Sequence, residues 1–118
     1  MVAVFVIDDH AAVRQNYALL IDRERDMAVC GEAASGEEAI AGIAACDPDL
    51  VVLDISLQGS VDGVELLTRL HAERPNLPIL VVSGHDEMVY ADRVLRLGAR
   101  GYVMKGDALL FIHALRQV

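Results

Sequence analysis

Four short apolar runs punctuate the chain, and each ends on a polar side chain. Val2-Ala3-Val4-Phe5-Val6-Ile7 runs into Asp8-Asp9, and Leu50-Val51-Val52-Leu53 runs into Asp54. Ile79-Leu80-Val81-Val82 runs into Ser83, and Gly101-Tyr102-Val103-Met104 runs into Lys105. Near-continuous Val, Leu and Ile over so few residues is the signature of a strand covered on both faces, as in a parallel sheet flanked by helices. If the runs are parallel neighbours, their polar ends share one carboxyl edge, which is where ligands bind in open α/β sheets.

Between the runs, apolar residues recur at helical spacing. Val13, Tyr17, Leu20 and Ile21 form one face, and Ala39, Ile40, Ile43 and Ala44 a second. Val64, Leu67 and Leu70 with His71 form a third, Ala91, Val94, Leu95 and Gly98 a fourth, and Ile112 with Leu115 the last. Ser35-Gly36-Glu37-Glu38 fits a capping box, Asp62 stands as a cap before Gly63-Val64-Glu65, and Gly98 is a helix stop. Pro48 and Pro78 fall just ahead of strands. With a further strand near 28–33, the pattern is (βα)5, strands lying near 2–7, 28–33, 49–54, 79–83 and 101–104. Right-handed crossovers then predict an α/β, doubly wound, five-stranded parallel sheet with helices on both faces, in the flavodoxin-like order 2-1-3-4-5. That order makes the first and third strands neighbours, so Asp8, Asp9 and Asp54 converge.

The 118 residues suit one domain with one core, and 54% hydrophobic content argues against disorder. No apolar run approaches the ~20 residues that span a bilayer, and the N-terminal run lacks the basic start and cleavage pattern of a signal peptide. A cytoplasmic protein without membrane contact is expected. The net charge of −8 argues against direct contact with nucleic acid, which rests on Lys and Arg neutralising phosphates. Cys30 and Cys46 lack metal-type spacing and are read as small buried residues in a reducing compartment. No Walker A or G-x-G-x-x-G motif is present, so nucleotide binding has no support.

Three converging carboxylates repel one another, and a hard divalent cation relieves the conflict. A few oxygen ligands with room for water suit Mg²⁺ (or Mn²⁺) better than a closed Ca²⁺ cage; only His10 adds a nitrogen, which argues against zinc. A carboxylate beside such an ion is either a ligand or a nucleophile. Asp54 heads a loop (Ile55 to Ser60), so its oxygen is expected to be open to a substrate. Phosphoryl transfer asks for an in-line acceptor, a metal and fixed donors around the phosphoryl oxygens. Lys105 offers charge, Ser83 a hydroxyl, and backbone N–H groups near Ser56 and Gly84 complete the set, Gly84 having no side chain to block approach.

Asp8-Asp9, Asp54, Ser83 and Lys105, in this order and spacing, resemble the receiver domain of bacterial two-component response regulators, from residue 2 to the end. Val29-Cys30-Gly31-Glu32-Ala33-Ala34-Ser35-Gly36-Glu37-Glu38-Ala39 and Leu97-Gly98-Ala99-Arg100-Gly101-Tyr102-Val103-Met104-Lys105 are similar to its LuxR/NarL-type transcriptional branch. The resemblance implies that Asp54 accepts a phosphoryl group from a sensor histidine kinase, a phosphotransfer protein or a small donor such as acetyl phosphate. It further implies that Asp9, Asp54 and the main-chain carbonyl of Ser56 touch Mg²⁺, that Asp8 acts through water, and that Lys105 pairs with Asp54 or its phosphate. In that branch a helix-turn-helix module follows; 1–118 is read as one receiver domain, either whole or cut from such a chain. Two departures bear on the loop: Gln58 stands where the family often has proline, and Asp62-Gly63 comes one residue late, so a longer, looser loop is expected. Gly106 stands where many receivers have a proline after the lysine.

Phosphate on Asp54 would draw Ser83 and Lys105 inward, and Tyr102, at the family's aromatic switch position, would turn into the vacated space. The face of the fourth helix, fifth strand and fifth helix would change, and a homodimer through the fourth and fifth helices is compatible with that. Ser56 and His85 flank the acceptor and are expected to tune access of water to the acyl phosphate. The chain is thus read as a self-phosphorylating switch, not a turnover enzyme. The rival readings are a receiver that only binds partners, without phosphorylation, and a haloacid-dehalogenase-type phosphatase, whose Asp-x-Asp after the first strand is lacking.

Overall fold

The computed structural model describes residues 1–84 and 88–118. Strands and helices alternate along the chain as β1 (Val2–Ile7), α1 (Ala11–Asp22), β2 (Met27–Ala33), α2 (Gly36–Cys46), β3 (Leu50–Asp54), α3 (Gly63–Glu73), β4 (Ile79–Ser83), α4 (Met88–Arg96), β5 (Gly101–Met104) and α5 (Ala108–Gln117). The sheet is parallel throughout, in the order β2-β1-β3-β4-β5. The α/β doubly wound, flavodoxin-like expectation therefore holds.

All residues of β3 and β4 are buried, as the unbroken apolar runs require. Side chains alternate between two cores. Phe5, Ile7, Val51, Leu53, Ile79 and Val81 meet Ala39 and Ile43 of α2, Leu66, Leu67 and Leu70 of α3, and Val94 of α4. Val4, Val6, Val52, Leu80 and Val82 meet Tyr17 and Ile21 of α1 and Phe111 and Leu115 of α5. The Tyr17 and Phe111 rings stack with centroids 4.4 Å apart, locking α1 to α5.

The helical stripes differ in detail from the expected ones. Leu66 is buried with Leu67 and Leu70, while Val64 sits at the margin. Leu95 points outward, 47% exposed, and Ala44 is exposed. In α5 the inner residue is Phe111, with Ile112 at the edge. Leu109 to Ile112 is continuously apolar, so periodicity alone cannot fix which residue faces in.

The helix ends follow the local chemistry. Ser35 Oγ accepts from Glu38 N at 3.2 Å, and the Glu38 carboxylate accepts from Ala34 N at 2.9 Å. Asp62 and Asp107 cap α3 and α5 by accepting from Glu65 N and from Leu109 N and Leu110 N. Past α4, Ala99 N donates to Val94 O and Gly98 N to Leu95 O, a Schellman ending with Gly98 at φ +118. A Cβ at Gly98 would also run into the His71 ring of α3. Two independent costs therefore fall on this glycine, one of backbone and one of packing. Gly98→Ala should lower unfolding free energy by about 1–3 kcal/mol in urea titration. Truncating the ring in His71→Ala/Gly98→Ala should recover the packing part and leave the backbone part.

Candidate functional site

Pairing register delivers the polar ends of the strands to one edge. Asp54 lies opposite Val82, and Ser83 opposite Met104. Lys105 N donates to Ser83 O at 2.7 Å, and Asp8 N to Ala33 O at 3.1 Å. Each of Asp8, Ser83, Asp54 and Lys105 is thus the last paired residue of its strand or the first beyond it.

Lys105 reaches back between the two acids. Its Nζ stands 2.9 Å from Asp8 Oδ2 and 3.2 Å from Asp54 Oδ2, with both aspartates fully buried. Neither oxygen makes a sound hydrogen bond, so the ammonium answers them by charge. Burial pulls the Lys105 pKa down, but the close contact with Asp8 and the Asp54 and Asp8 charges outweigh it and hold the pKa above its ordinary 10.5. Beneath the pair, burial raises the Tyr17 phenol, and the charges of Asp8 and Asp54 raise it further, so it stays protonated.

The other acid oxygens are held by near neighbours. Asp54 Oδ1 accepts from Ser56 N at 3.0 Å and from Ser56 Oγ at 2.7 Å. Asp8 Oδ1 accepts from His10 N at 2.9 Å, with His10 Nδ1 3.3 Å from it and 3.0 Å from Asp9 Oδ1. Arg14, a turn into α1, donates to the Asp8 carbonyl at 2.6 Å and stands 3.5 Å from Glu32. The expected openness of Asp54 is corrected here: it is buried, because Ser56 folds over one oxygen and Lys105 with Asp8 covers the other.

The loop after Asp54 is pinned, not loose. Leu57 is buried, its N–H donates to Asp54 O, and its carbonyl accepts from Gly63 N. Val61 packs under Gly36 of α2, and Ser60 Oγ donates to Glu37. Gln58, in the place of proline, donates from Nε2 to the Ser56 carbonyl at 2.9 Å. Ser83, 2% exposed, and Ser56 line one shared cavity with Gln58 and Arg93. Gly84 is exposed, and a Cβ there would meet nothing within 4 Å, so crowding in this state does not demand glycine. Tyr102 is half-buried against the core that contains Val94 and Ala99. His85 lies outside the described residues.

Ligand atoms of Asp8, Asp9, His10 and Asp54 all lie within 4.8 Å of one another. Together with two buried carboxylate oxygens that lack hydrogen bonds, this donor set fits a hard divalent cation. Sequence reasoning did not find the bond from Ser56 to Asp54 or the tie from Arg14 to Asp8. The second had a usable signal, since Arg14 stands one helical turn beyond His10.

Removing the ammonium would leave two buried carboxylates without compensation. Lys105→Met should lower unfolding free energy at pH 7 by about 2–3 kcal/mol in metal-free buffer, discounted for the partial exposure of Lys105. Added Mg²⁺ should restore part of the loss. Because the folded pKa of Lys105 lies above its unfolded value, its contribution is complete below about pH 10 and fades as pH rises through the folded pKa. The difference between wild type and Lys105→Met should therefore stay level from pH 6 to about pH 9 and narrow above that.

The sequence profile described as "Response regulator receiver domain" matches residues 4–114. The oxygen regulatory protein NreC of Staphylococcus haemolyticus is 31% identical over 102 residues, 86% of this chain and 47% of that protein. The chain spans about half the length of the curated relatives it matches. The fold superposes on a LuxR-family two-component response regulator from Aurantimonas sp. SI85-9A1 with TM-score 0.91 and 31% identity, covering 98% of this chain and 83% of that one. The signal receiver domain of the putative response regulator NarL from Mycobacterium tuberculosis gives TM-score 0.87 and 28% identity, covering 98% and 91%. The chain belongs to the response regulator receiver domain family, in its LuxR/NarL branch.

Proposed function

We propose that Asp54 is the phosphoryl acceptor of a two-component signalling switch. The observation that carries this reading is the buried Asp8–Lys105–Asp54 bridge at the carboxyl edge of the sheet, with Ser83 beside it. A cationic group already faces the acceptor, and a hydroxyl opens into the same cavity as its loop. A receiver of this family implies phosphorylation-dependent signalling; the donor is a sensor histidine kinase, a phosphotransfer protein or a small acyl phosphate.

In the transfer, a carboxylate oxygen of Asp54 forms the new P–O bond as the donor's P–N bond breaks, or the P–O bond of an acyl phosphate. The departing imidazole takes up a proton. Asp8, Asp9, Asp54 and the Ser56 carbonyl are the residues that would hold Mg²⁺ (or Mn²⁺), whose chemistry there is to neutralise charge on the phosphoryl oxygens. Ser56 Oγ must release Asp54 Oδ1 if that oxygen is the attacker. Lys105 and Ser83 then turn toward the phosphoryl oxygens, and backbone N–H at Gly84 adds a donor. Phosphate adds roughly −1.5 to −2 of charge, so these differential contacts bias the protein toward a second state. Tyr102, packed against α4, is placed to carry that change to the α4–β5–α5 face.

His85 and Ser56 act as tuning residues for the acyl phosphate. The protein transfers phosphate to itself and loses it, and does not turn over a substrate. Exposed Leu95, Met104, Leu109 and Leu110 offer apolar contact for a homodimer through α4 and α5. The net charge of −8 is the feature against direct nucleic-acid contact. Among the described residues no helix is long and apolar enough to cross a membrane. A helix-turn-helix output module, as in the LuxR branch, is the proposed continuation of a longer chain, and a cytoplasmic setting goes with that role.

Acetyl phosphate with Mg²⁺ should give an adduct of about 80 Da by intact mass, absent in Asp54→Asn and absent when EDTA replaces the metal. No adduct on the wild type would favour a receiver that binds partners without phosphorylation; an adduct surviving Asp54→Asn would place the acceptor elsewhere. Removing the hydroxyl from Asp54 Oδ1 in Ser56→Ala loses roughly 1 kcal/mol of ground-state hydrogen bonding, so labelling should run about fivefold faster. An unchanged rate would show that this oxygen is not the attacker.

A further inference from the structure

The two cysteines are not buried filler. Cys30 is exposed and Cys46 half-buried, and both are free thiols. They stand on adjacent elements at the open edge of the sheet, Cys30 in β2 and Cys46 at the last turn of α2. Pairing between β1 and β2 runs Val4 to Val29 and then Phe5 to Gly31, so Cys30 is the extra residue of a β-bulge. A bulge breaks the strict alternation of side chains and can re-aim the residue it carries. Val29 on one side packs against the core beneath α1 and α5, whereas Gly31 on the other side lies over Phe5 and Cys46 Sγ. Gly31 leaves room for that sulfur, since a Cβ there would come within 3.0 Å of it. Cys46 Sγ donates to the Cys30 carbonyl at 3.3 Å, which brings the end of α2 onto the bulge itself.

From this placement we infer that Cys30 and Cys46 are a reversible disulfide site, closed by peroxide and reopened by small thiols. Cys30 Sγ, the exposed thiol, is oxidised to a sulfenic acid as peroxide is reduced to water. Cys46 Sγ then attacks that sulfur, forming the S–S bond and releasing a second water. One peroxide thus removes two thiol hydrogens and two electrons. The thiols are also close enough to act on each other's protonation. Burial, the Cys46 charge and a hydrogen bond donated to Cys46 push the Cys30 thiol up to about 11. The thiolate is the reactive form, so oxidation is slow at neutral pH and gains about tenfold per pH unit in the alkaline range below that value. The site lies away from Asp54, and its closure does not depend on phosphorylation.

The 1–118 protein treated with hydrogen peroxide at pH 8.5 should lose about 2 Da by intact mass, with both thiols blocked to maleimide after denaturation and regained after dithiothreitol. At pH 7 the same change should run at least about tenfold slower. Cys30→Ser and Cys46→Ser should each fail to lose that mass and instead gain oxygen or link two chains. The idea is overturned if the wild type keeps both thiols, gains about 16 or 32 Da without crosslinking, or forms only intermolecular disulfides. If either variant fails to fold, the wild-type mass and labelling decide the matter alone.

Discussion

One ammonium between two buried carboxylates sets the terms for everything at this edge of the sheet. Asp8 and Asp54 arrive on neighbouring parallel strands because β1 and β3 are adjacent in the order 2-1-3-4-5. Neither acid is exposed, and each keeps an oxygen that no hydrogen bond satisfies. A pair of like charges so placed is tolerable only beside a cation. Lys105 is that cation in this state, delivered by β5 through the bond from its own N–H to Ser83 O. One ammonium against two buried carboxylates still leaves an excess of negative charge. A divalent ion would offset that excess and a phosphoryl group would add to it.

The surroundings hold these charges in a defined geometry. The loop after Asp54 is anchored at Leu57 and Val61, tied to α2 through Ser60 and Glu37, and closed by Asp62 at the start of α3. Ser56 donates from N and Oγ to the Asp54 carboxylate and Gln58 from Nε2 to the Ser56 carbonyl, so the carboxylate and the carbonyl beside it are oriented together. On the far side, Tyr102 and the Gly98 turn bind β5 to α4 and α3 through packing. Changes of charge at Asp54 therefore meet a rigid loop on one flank and a packed aromatic on the other.

Much of this was legible from residues alone. The unbroken runs of β3 and β4 marked strands covered on both faces, and their polar termini marked the edge where Asp8, Asp54, Ser83 and Lys105 meet. The caps at Ser35, Asp62 and Gly98 were readable because each rests on local backbone chemistry. What escaped was non-local or a matter of phase. The inward turn of Phe111 could not be chosen from four consecutive apolar residues. The burial of Asp54 could not be read from its place at a loop, since it depends on Ser56 folding back and on Lys105 arriving from a strand fifty residues on. The loop looked loose because Gln58 replaced a proline, yet buried Leu57 and Val61 hold it. Cys30 and Cys46 looked like core residues because neither the bulge nor the end of α2 can be placed beside the other from sequence.

A double-mutant cycle measures the shared charge directly. Unfolding free energies of wild type, Asp54→Asn, Lys105→Met and the double variant give the coupling between Asp54 and the ammonium at neutral pH without metal. If one ammonium compensates both buried acids, the cost of Lys105→Met should fall by at least about 1 kcal/mol once Asp54 is neutral. An unchanged cost in the Asp54→Asn background, within about 0.3 kcal/mol, would mean that the lysine does not hold Asp54 and would contradict the account.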